Sequence, residues 1–445
     1  LRCFILNHIH ALYQKIFKVR TLQSSNLQTI PRNEHRISRQ NIDKNALKIL
    51  YRLQKSNYQA YLVGGCIRDL LLGLKPKDFD ITTDAKPEQI KQLFKNCRLI
   101  GRRFRLAHII FGHEIIEVAT LRGHPNQPSA QAKANTSGRL LRDNVFGNLE
   151  EDIERRDFTI NALYYDVKDF SLRCLPSTMP DLEQGIVRLI GDPTTRYQED
   201  PVRMLRAIRF AIKLDMKIEE KTAATIEPLG YLLDDIHPSR MYEEVAKLFF
   251  AGHAHATWQM LQTYQLLPHL FPFIVQHLKQ KTPNLSSMIE HLLLTIDQQV
   301  EQGQRVSHSF FYASLLWYPL QETVRDIRVN SNLSLHDIYH VAIGQVFEQH
   351  NPSIAISKRC CNIIREMWLL QLRFEKSKNS RAFKLETATQ YKRALTFLNM
   401  RSQVEPGHIK KTANWWQAFS QGNAEQRKKM TSNKANKSAT KVSKD

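Results

Sequence analysis

Leu62–Gly73 reads LVGGCIRDLLLG, and Lys75–Ile81, two residues on, reads KPKDFDI. A strand pattern over Tyr58–Val63 runs straight into Gly64 and Gly65, and a helix pattern follows through Leu72. Glycines at such a junction let the backbone turn sharply and approach a phosphate with no Cβ in the way. The helix behind them offers its first amides and positive dipole end to the same anion. Arg68, in the first turns of that helix, adds a forked donor for a triphosphate. Asp78 and Asp80 stand two apart on an expected strand, Asp78–Thr82, which projects both carboxylates from one face. Like charges this close are costly unless a cation lies between them, and hard oxygen donors favour Mg2+ shared with substrate phosphates. A bare D-x-D is common on solvated strands and in turns. Its position after a strand, a glycine turn and a helix makes this one specific.

Working outward, apolar residues recur at helical spacing from Asn41 to Gln54, and Pro87 opens a second helix to Phe94. Strand patterns cover Ala107–Phe111 and Ile115–Leu121, and the second contains Glu117, the candidate third metal ligand of a two-ion site. Gly123–Gly138 reads as a loop by composition, and strand character returns over Phe158–Val167. Beyond Pro201 helical periodicity takes over as far as Ser420. The fold class is therefore α+β: a mixed sheet with helices, followed by an all-helical region. The expected divisions are a basic N-terminal extension (1–35), a catalytic head (36–170), a neck (171–240), a helical body (241–425) and a disordered basic tail (426–445).

The chain has 445 residues and a formal net charge of +21. That balance favours a polyanionic partner, nucleic acid before an anionic membrane surface. No apolar run approaches the roughly 18 residues needed to span a bilayer. The 6 cysteines lack zinc-site spacing and fit reduced thiols of a cytoplasmic protein, with Cys360-Cys361 as buried packing residues.

Three further motifs lie downstream: Arg155–Ala162 (RRDFTINA), Gly191-Asp-Pro, and Glu199–Arg203 (EDPVR). Asp200 before Pro201 is by itself a good helix start, N-cap then N1. Arg203 lies three residues on, near the same face, where it can read a base edge together with Asp200. Taken with LVGG and KPKDFDI, these motifs closely resemble the nucleotidyltransferases that share a polymerase β-like head. Within them, the match is to the class that holds bacterial poly(A) polymerases and CCA-adding enzymes. The resemblance implies that Gly64, Gly65, Arg68 and Arg156 bind nucleotide, and that Asp157 joins Asp78 and Asp80 as a catalytic carboxylate. It makes Asp200 and Arg203 the base readers and Gly191-Asp-Pro the head-to-neck connection.

Arg98–Ile109 (RLIGRRFRLAHI) and Phe111–Gly123 (FGHEIIEVATLRG) resemble poly(A) polymerases rather than CCA-adding enzymes. The likeness spans roughly residues 30 to 420 and is strongest in the head; Leu121 stands where an aromatic residue is expected. It implies template-independent transfer of AMP from ATP to RNA 3′ ends by a monomer with two Mg2+ ions, in the cytoplasm and alongside RNA-decay proteins. CCA addition to tRNA is the competing activity. A non-catalytic RNA-binding protein and a membrane-surface protein are the readings from other classes.

Arg102, Arg103 and Arg105 are candidate phosphate contacts ahead of the Glu117 strand, or else a solvated basic segment. Arg373, Lys376, Lys378, Arg381 and Lys384 surround Phe374 and Phe383, a composition that suits single-stranded RNA. The bland alternative is an exposed helix end with core phenylalanines. His336-Asp337 reads as a surface helix pair, since no further ligands accompany it, and His253 and His255 read as turn residues.

Overall fold

The computed structural model describes residues 27–101, 105–123, 132–134, 140–143 and 145–432. Two compact units divide between Gly191 and Asp192, inside the Gly-Asp-Pro motif. Among its described residues the first contains eleven strands: β1 (Gln28–Ile30), β2 (Ala60–Val63), β3 (Asp80–Thr83), β4 (Cys97–Ile100), β5 (Leu106–Phe111), β6 (Glu114–Thr120), β7 (Ala132–Ala134), β8 (Leu140–Asp143), β9 (Leu163–Asp166), β10 (Leu172–Cys174) and β11 (Ile186–Val187). Eight of them form one sheet in the order β1-β10-β9-β2-β3-β6-β5-β4, and β7 pairs with β8. Within the large sheet β3 and β6 run parallel, and the neighbouring pairs β2–β3 and β5–β6 are antiparallel. The sheet takes in β1 and β10, which fall outside the 36–170 expected for the head.

Helix α1 (Lys44–Lys55) starts because the Asp43 carboxylate accepts from the Asn45 and Ala46 amides. Its Ala46, Ile49, Leu50 and Leu53 are fully buried, at the spacing of one helix face, and it packs on β2 and β3. A short helix α2 (Gly65–Leu71) follows β2, and α3 (Pro87–Leu93) packs on β4 and β5. Helix α4 (Leu149–Glu154) opens with a capping box between Asn148 and Glu151. Leu149 and Ile153 anchor it in a cluster with Tyr61, Val63, Leu121, Ala162, Tyr164 and Ile190. Emptying the Ile153 site by substitution to Ala should cost about 2–5 kcal/mol. On β6, Ile116, Val118 and Thr120 turn inward, leaving Ile115, Glu117 and Ala119 on the more open face.

Strand β7 falls inside the expected loop Gly123–Gly138, a helix over Ala424–Thr431 enters the expected disordered tail, and two expectations at the site also change. Strand β3 begins at Asp80, so Asp78 lies just before it in irregular chain. The reason is pairing: β2 ends at Val63, the register partner of Asp80, and Gly64 at φ +78° turns the chain away. Nothing remains opposite residue 78 to make it a strand. Within Phe158–Val167, Thr159–Asn161 forms a 3₁₀ turn and only Leu163–Asp166 is strand.

The second unit is helical apart from a two-residue strand, Lys217–Ile218. Helices α5 (Pro193–Glu199) and α6 (Val202–Leu214) open it, and the core beyond is aromatic, with Phe249, Phe271, Trp317, Trp368 and Trp416 fully buried. Two of these buried indoles find backbone acceptors, whereas Trp317 Nε1 has none among the described residues. Trp368 Nε1 donates to the Ala313 carbonyl at 3.0 Å and Trp416 Nε1 to that of Phe374 at 2.8 Å. Cys360 is buried and Cys361 half-buried, as packing residues. Among the described residues no helix is long and apolar enough to cross a membrane.

Candidate active site

Strand register assembles the centre of the site. Val63 pairs with Tyr164 on one side and Asp80 on the other. The parallel register of Ile81 with Val118 brings Asp80 level with Glu117, which pairs with His108. Tyr164, Val63, Asp80, Glu117 and His108 thus form one row across five strands, on one face of the sheet. Above this row lies a cleft of about 170 Å³ walled by Asp80, Glu117, Arg122, Asp152 and Arg156. Glu117 carries one neighbour of its own, His108 Nε2 at 3.1 Å.

Two aspartates in this cleft are driven in opposite directions. Burial raises the Asp80 carboxyl to about 6, with Glu117 and then Asp78 adding repulsion and Arg156 opposing. Asp80 nonetheless keeps open surface toward the cleft. Burial also works against ionisation of Asp152, yet Arg156, Arg122 and the Tyr164 hydroxyl outweigh it and bring its carboxyl to about 2. The geometry explains the outcome. Arg122 Nε reaches Asp152 at 3.1 Å, Arg156 Nη2 reaches it at 3.3 Å, and the Tyr164 hydroxyl donates to the same carboxylate. Arg156 Nε also donates to the Tyr164 oxygen at 2.7 Å, with its guanidinium 5.0 Å from that ring's centre. The arginines of the cleft are thereby engaged with Asp152, while Asp80 and Glu117 face each other beneath them. Acidic groups whose environments diverge in this way mark functional clefts.

Gly64 is fixed by the same neighbours. A Cβ there would come within 3.4 Å of Arg156 Nη1 and 3.7 Å of the Asn161 carbonyl, at a φ that side chains disfavour. Arg68 differs from its expected role. It is 2% exposed, and its guanidinium is held by Asp69 Oδ1 at 2.6 and 2.9 Å and by Asn161 Oδ1 at 2.6 Å. Asn161 Nδ2 in turn donates to Asp157 Oδ1 at 3.2 Å, which also accepts the Phe158 amide at 2.8 Å. Asp69, Arg68, Asn161 and Asp157 therefore form a chain that ties the glycine turn to the RRDFTINA motif. Asp157 does not line the cleft of Asp80.

The donors offered by Asp78, Asp80 and Glu117 are carboxylate oxygens, and the crowding of negative charge around Asp80 is what a hard divalent ion relieves, so the residues fit Mg2+ by chemistry. Among the described residues, however, no three metal-binding side chains converge into a ready-made cage. Asp152, Tyr164, Arg122 and His108 escaped the sequence reading. Asp152 and Arg156 stand at i and i+4, a spacing that signals a pair; the others depend on strand register.

In the second unit, Asp200 ends α5 rather than capping α6, whose N-cap is Pro201. The chain carries Asp-Pro twice, and only the first pair, Asp192-Pro193, opens a helix, with Asp192 accepting the Thr195 amide at 2.8 Å. Asp200 receives Arg240 Nη2 at 2.8 Å, while Arg203 Nη1 donates to Glu199 Oε2 at 2.8 Å and to the Arg196 carbonyl at 2.6 Å. The two base-reading candidates thus have separate partners, and Arg240 and Glu199 are additions to the set.

Of the basic candidates, Arg102 and Arg103 lie outside the described residues, and Arg105 pairs with Glu88 at 2.5 Å on the surface. Arg373, Lys376, Arg381 and Lys384 are exposed. Phe374 is fully buried against Trp416 and Tyr391, whereas Phe383 is 39% exposed and meets Phe419 edge-on at 5.2 Å. Lys378 leans on Thr412 Oγ1 at 2.9 Å. His336 and Asp337 sit on an exposed helix surface.

Comparison with known proteins agrees with this geometry. Residues 60–188 match the poly A polymerase head domain, residues 215–278 a probable RNA and SrmB-binding site of polymerase A, and residues 331–445 the polymerase A arginine-rich C-terminus. The chain is 48% identical over 396 residues to poly(A) polymerase I of Salmonella typhi, covering 88% of this chain and 85% of that one. A CCA-adding enzyme of Lactobacillus helveticus is 36% identical over 221 residues, about half of each chain (50% and 53%). The crystal structure of the Bacillus stearothermophilus CCA-adding enzyme in complex with CTP superposes with a TM-score of 0.56 at 22% identity, covering 84% of this chain and 81% of that one, a likeness of fold. The chain belongs to the bacterial poly(A) polymerase I family of nucleotidyltransferases.

Proposed function

We propose that this chain is a poly(A) polymerase that transfers AMP from ATP to RNA 3′-hydroxyl ends without a template and releases pyrophosphate. The observation that carries this reading is the cleft in which Asp80 faces Glu117 while Arg122 and Arg156 neutralise Asp152. The 3′-hydroxyl oxygen gives up its proton to water and attacks the α-phosphorus of ATP, the bond from that phosphorus to the bridging oxygen breaks, and pyrophosphate departs with the electron pair. Asp78, Asp80 and Glu117 would hold two Mg2+ ions, which when bound supply charge neutralisation at the attacking and leaving oxygens. The residues of the chain do the positioning. The side-chain-free turn at Gly64 gives backbone access, Arg156 sets the cleft wall, and the Arg68–Asn161–Asp157 chain stiffens the junction between motifs.

Asp200 and Arg203 are the proposed base readers, oriented by Arg240 and Glu199 respectively. The exposed cations of residues 373–384 are the proposed RNA contacts, and the enzyme works as a cytoplasmic monomer beside RNA-decay proteins. Asp80→Asn should lower AMP incorporation more than about a hundredfold with RNA binding retained; a variant as active as the parent refutes the site. Supplying ATP or CTP singly with a short RNA separates the two activities of the class. Long extension with ATP alone supports polyadenylation, and preferential CTP incorporation supports CCA addition.

A further inference from the structure

A pair of histidines outside the head stands close enough to share a ligand. The helix Leu335–His350 is capped by Ser334 and carries His336 and His340 one turn apart on its exposed face. Their Nε2 atoms are 3.3 Å from each other, with ring centres 4.4 Å apart. Two nitrogens at that separation, each about 2.05 Å from a common ion, subtend roughly 107°, close to the tetrahedral angle. The far side of the His336 ring faces a carboxylate, with Nδ1 3.7 Å from Asp337 Oδ1. Asp337 is itself held, since the Ser334 hydroxyl donates to its other oxygen at 2.6 Å. A carboxylate behind a ligating imidazole favours the tautomer that presents the opposite nitrogen to a metal.

We propose that His336 and His340 form a bidentate surface site for a borderline divalent ion, Zn2+ by its tetrahedral preference and affinity for imidazole. Among the described residues no third side chain of suitable type joins them, so two coordination positions face solvent and are open to water or to a ligand from another molecule. This donor set differs from the carboxylates of the head. Imidazole nitrogens select Zn2+, whereas oxygen donors select Mg2+, so the two sites can be read apart.

The test uses the full-length protein, stripped with a chelator and returned to excess Mg2+, then titrated calorimetrically with ZnCl2. One Zn2+ equivalent is expected to weaken at least about tenfold in His336→Gln and in His340→Gln, and to persist in His253→Gln. Co2+ in place of Zn2+ should give the intense visible bands of a tetrahedral site in the parent and lose them in both variants. AMP incorporation and the thermal midpoint should match the parent, because both rings are exposed. Zn2+ binding of unchanged stoichiometry and affinity in the two variants would overturn the site and leave the pair as an imidazole–imidazole hydrogen bond.

Discussion

Two arginines with little exposed side chain, one in each unit, use the same chemistry to opposite ends. In the head, Arg156 pairs with Asp152 and Tyr164 at the wall of an open cleft that also contains Asp80 and Glu117. In the helical unit, Arg401 is 4% exposed and grips Glu405 with two bonds of 2.9 Å. It also donates to Gln371 at 3.2 Å and stacks over Trp317 at 4.3 Å. The Arg401 cluster is enclosed by the helices that carry it, so its work is structural. The Arg156 cluster neutralises one carboxylate while leaving two others beside it at the open end. A buried ion pair alone therefore says little about function. What distinguishes the head is the acid left over once the pairing is done.

The largest effect should come from breaking the closed cluster. Arg401→Met strands Glu405, which otherwise accepts from both Arg401 and the Tyr318 hydroxyl, and should cost about 3–5 kcal/mol in urea unfolding. AMP incorporation per folded molecule should stay near the parent value at low temperature. Loss of turnover at full stability would give the two arginines the same kind of role.

Next in size is a difference in acid response. His350 is fully buried beside the Tyr312 ring, and burial alone lowers it to about 4. A histidine lowered in this way is held neutral, so its stability contribution is complete above its ordinary value near 6.5. That contribution falls as pH drops from about 6.5 towards about 4, by about 3 kcal/mol. Asp152 behaves otherwise. Its stabilisation holds above the ordinary carboxylate range and is lost only as pH falls through about 2. All five tryptophans (258, 317, 368, 415 and 416) lie in the helical unit, so indole fluorescence reports that unit alone. Its urea midpoint should fall between pH 6.5 and 4, and His350→Leu should flatten the fall. A midpoint independent of pH over that range, or equally steep in the variant, counts against this assignment.

The counterpart to Arg401→Met is Arg156→Gln. Arg122 and Tyr164 remain to hold Asp152, so the stability loss should be the smaller of the two, about 1–2 kcal/mol. Turnover should drop about a hundredfold, equivalent to about 2.7 kcal/mol at the transition state. Steady-state rates read beside unfolding midpoints separate the two costs.

How far this contrast was legible in the sequence depends on the distance over which each part is encoded. Gly64, Asp80 and Glu117 were readable because turn, helix and strand follow in order within sixty residues, and each leaves a local pattern. The row Tyr164–Val63–Asp80–Glu117–His108 was not, because it depends on the register of four strand pairings. Asp78 was misplaced for the same reason, since a strand ends where its partner does. Asp200 was misread through a true local rule: Asp-Pro is a good helix start, but Asp192-Pro193 already begins the helix that Asp200 closes. The Arg401 cluster left only the i, i+4 spacing of Arg401 and Glu405 as a mark, because Gln371 and Trp317 are brought to it by helix packing.

The smallest expected effect is on RNA binding by the basic segment, whose two phenylalanines the sequence could not tell apart. Phe374 lies in the interior against Trp416 at 4.9 Å, whereas Phe383 presents 39% of its surface among Arg381 and Lys384. If single-stranded RNA stacks on this segment, Phe383→Ala should weaken RNA binding by about 1 kcal/mol, at the low end for a stacked base because Phe419 already covers one edge. The folded state should be nearly unchanged. Phe374→Ala should do the reverse, costing about 3–5 kcal/mol of stability while RNA affinity per folded molecule stays the same. Salt dependence sharpens the distinction, since Lys376→Ala should lower the slope of log affinity against log salt by about 0.7 while Phe383→Ala leaves it alone. Equal RNA affinity in the Phe383 variant would reduce the basic segment to a solvated helix end, with the head left to hold the RNA terminus by other contacts.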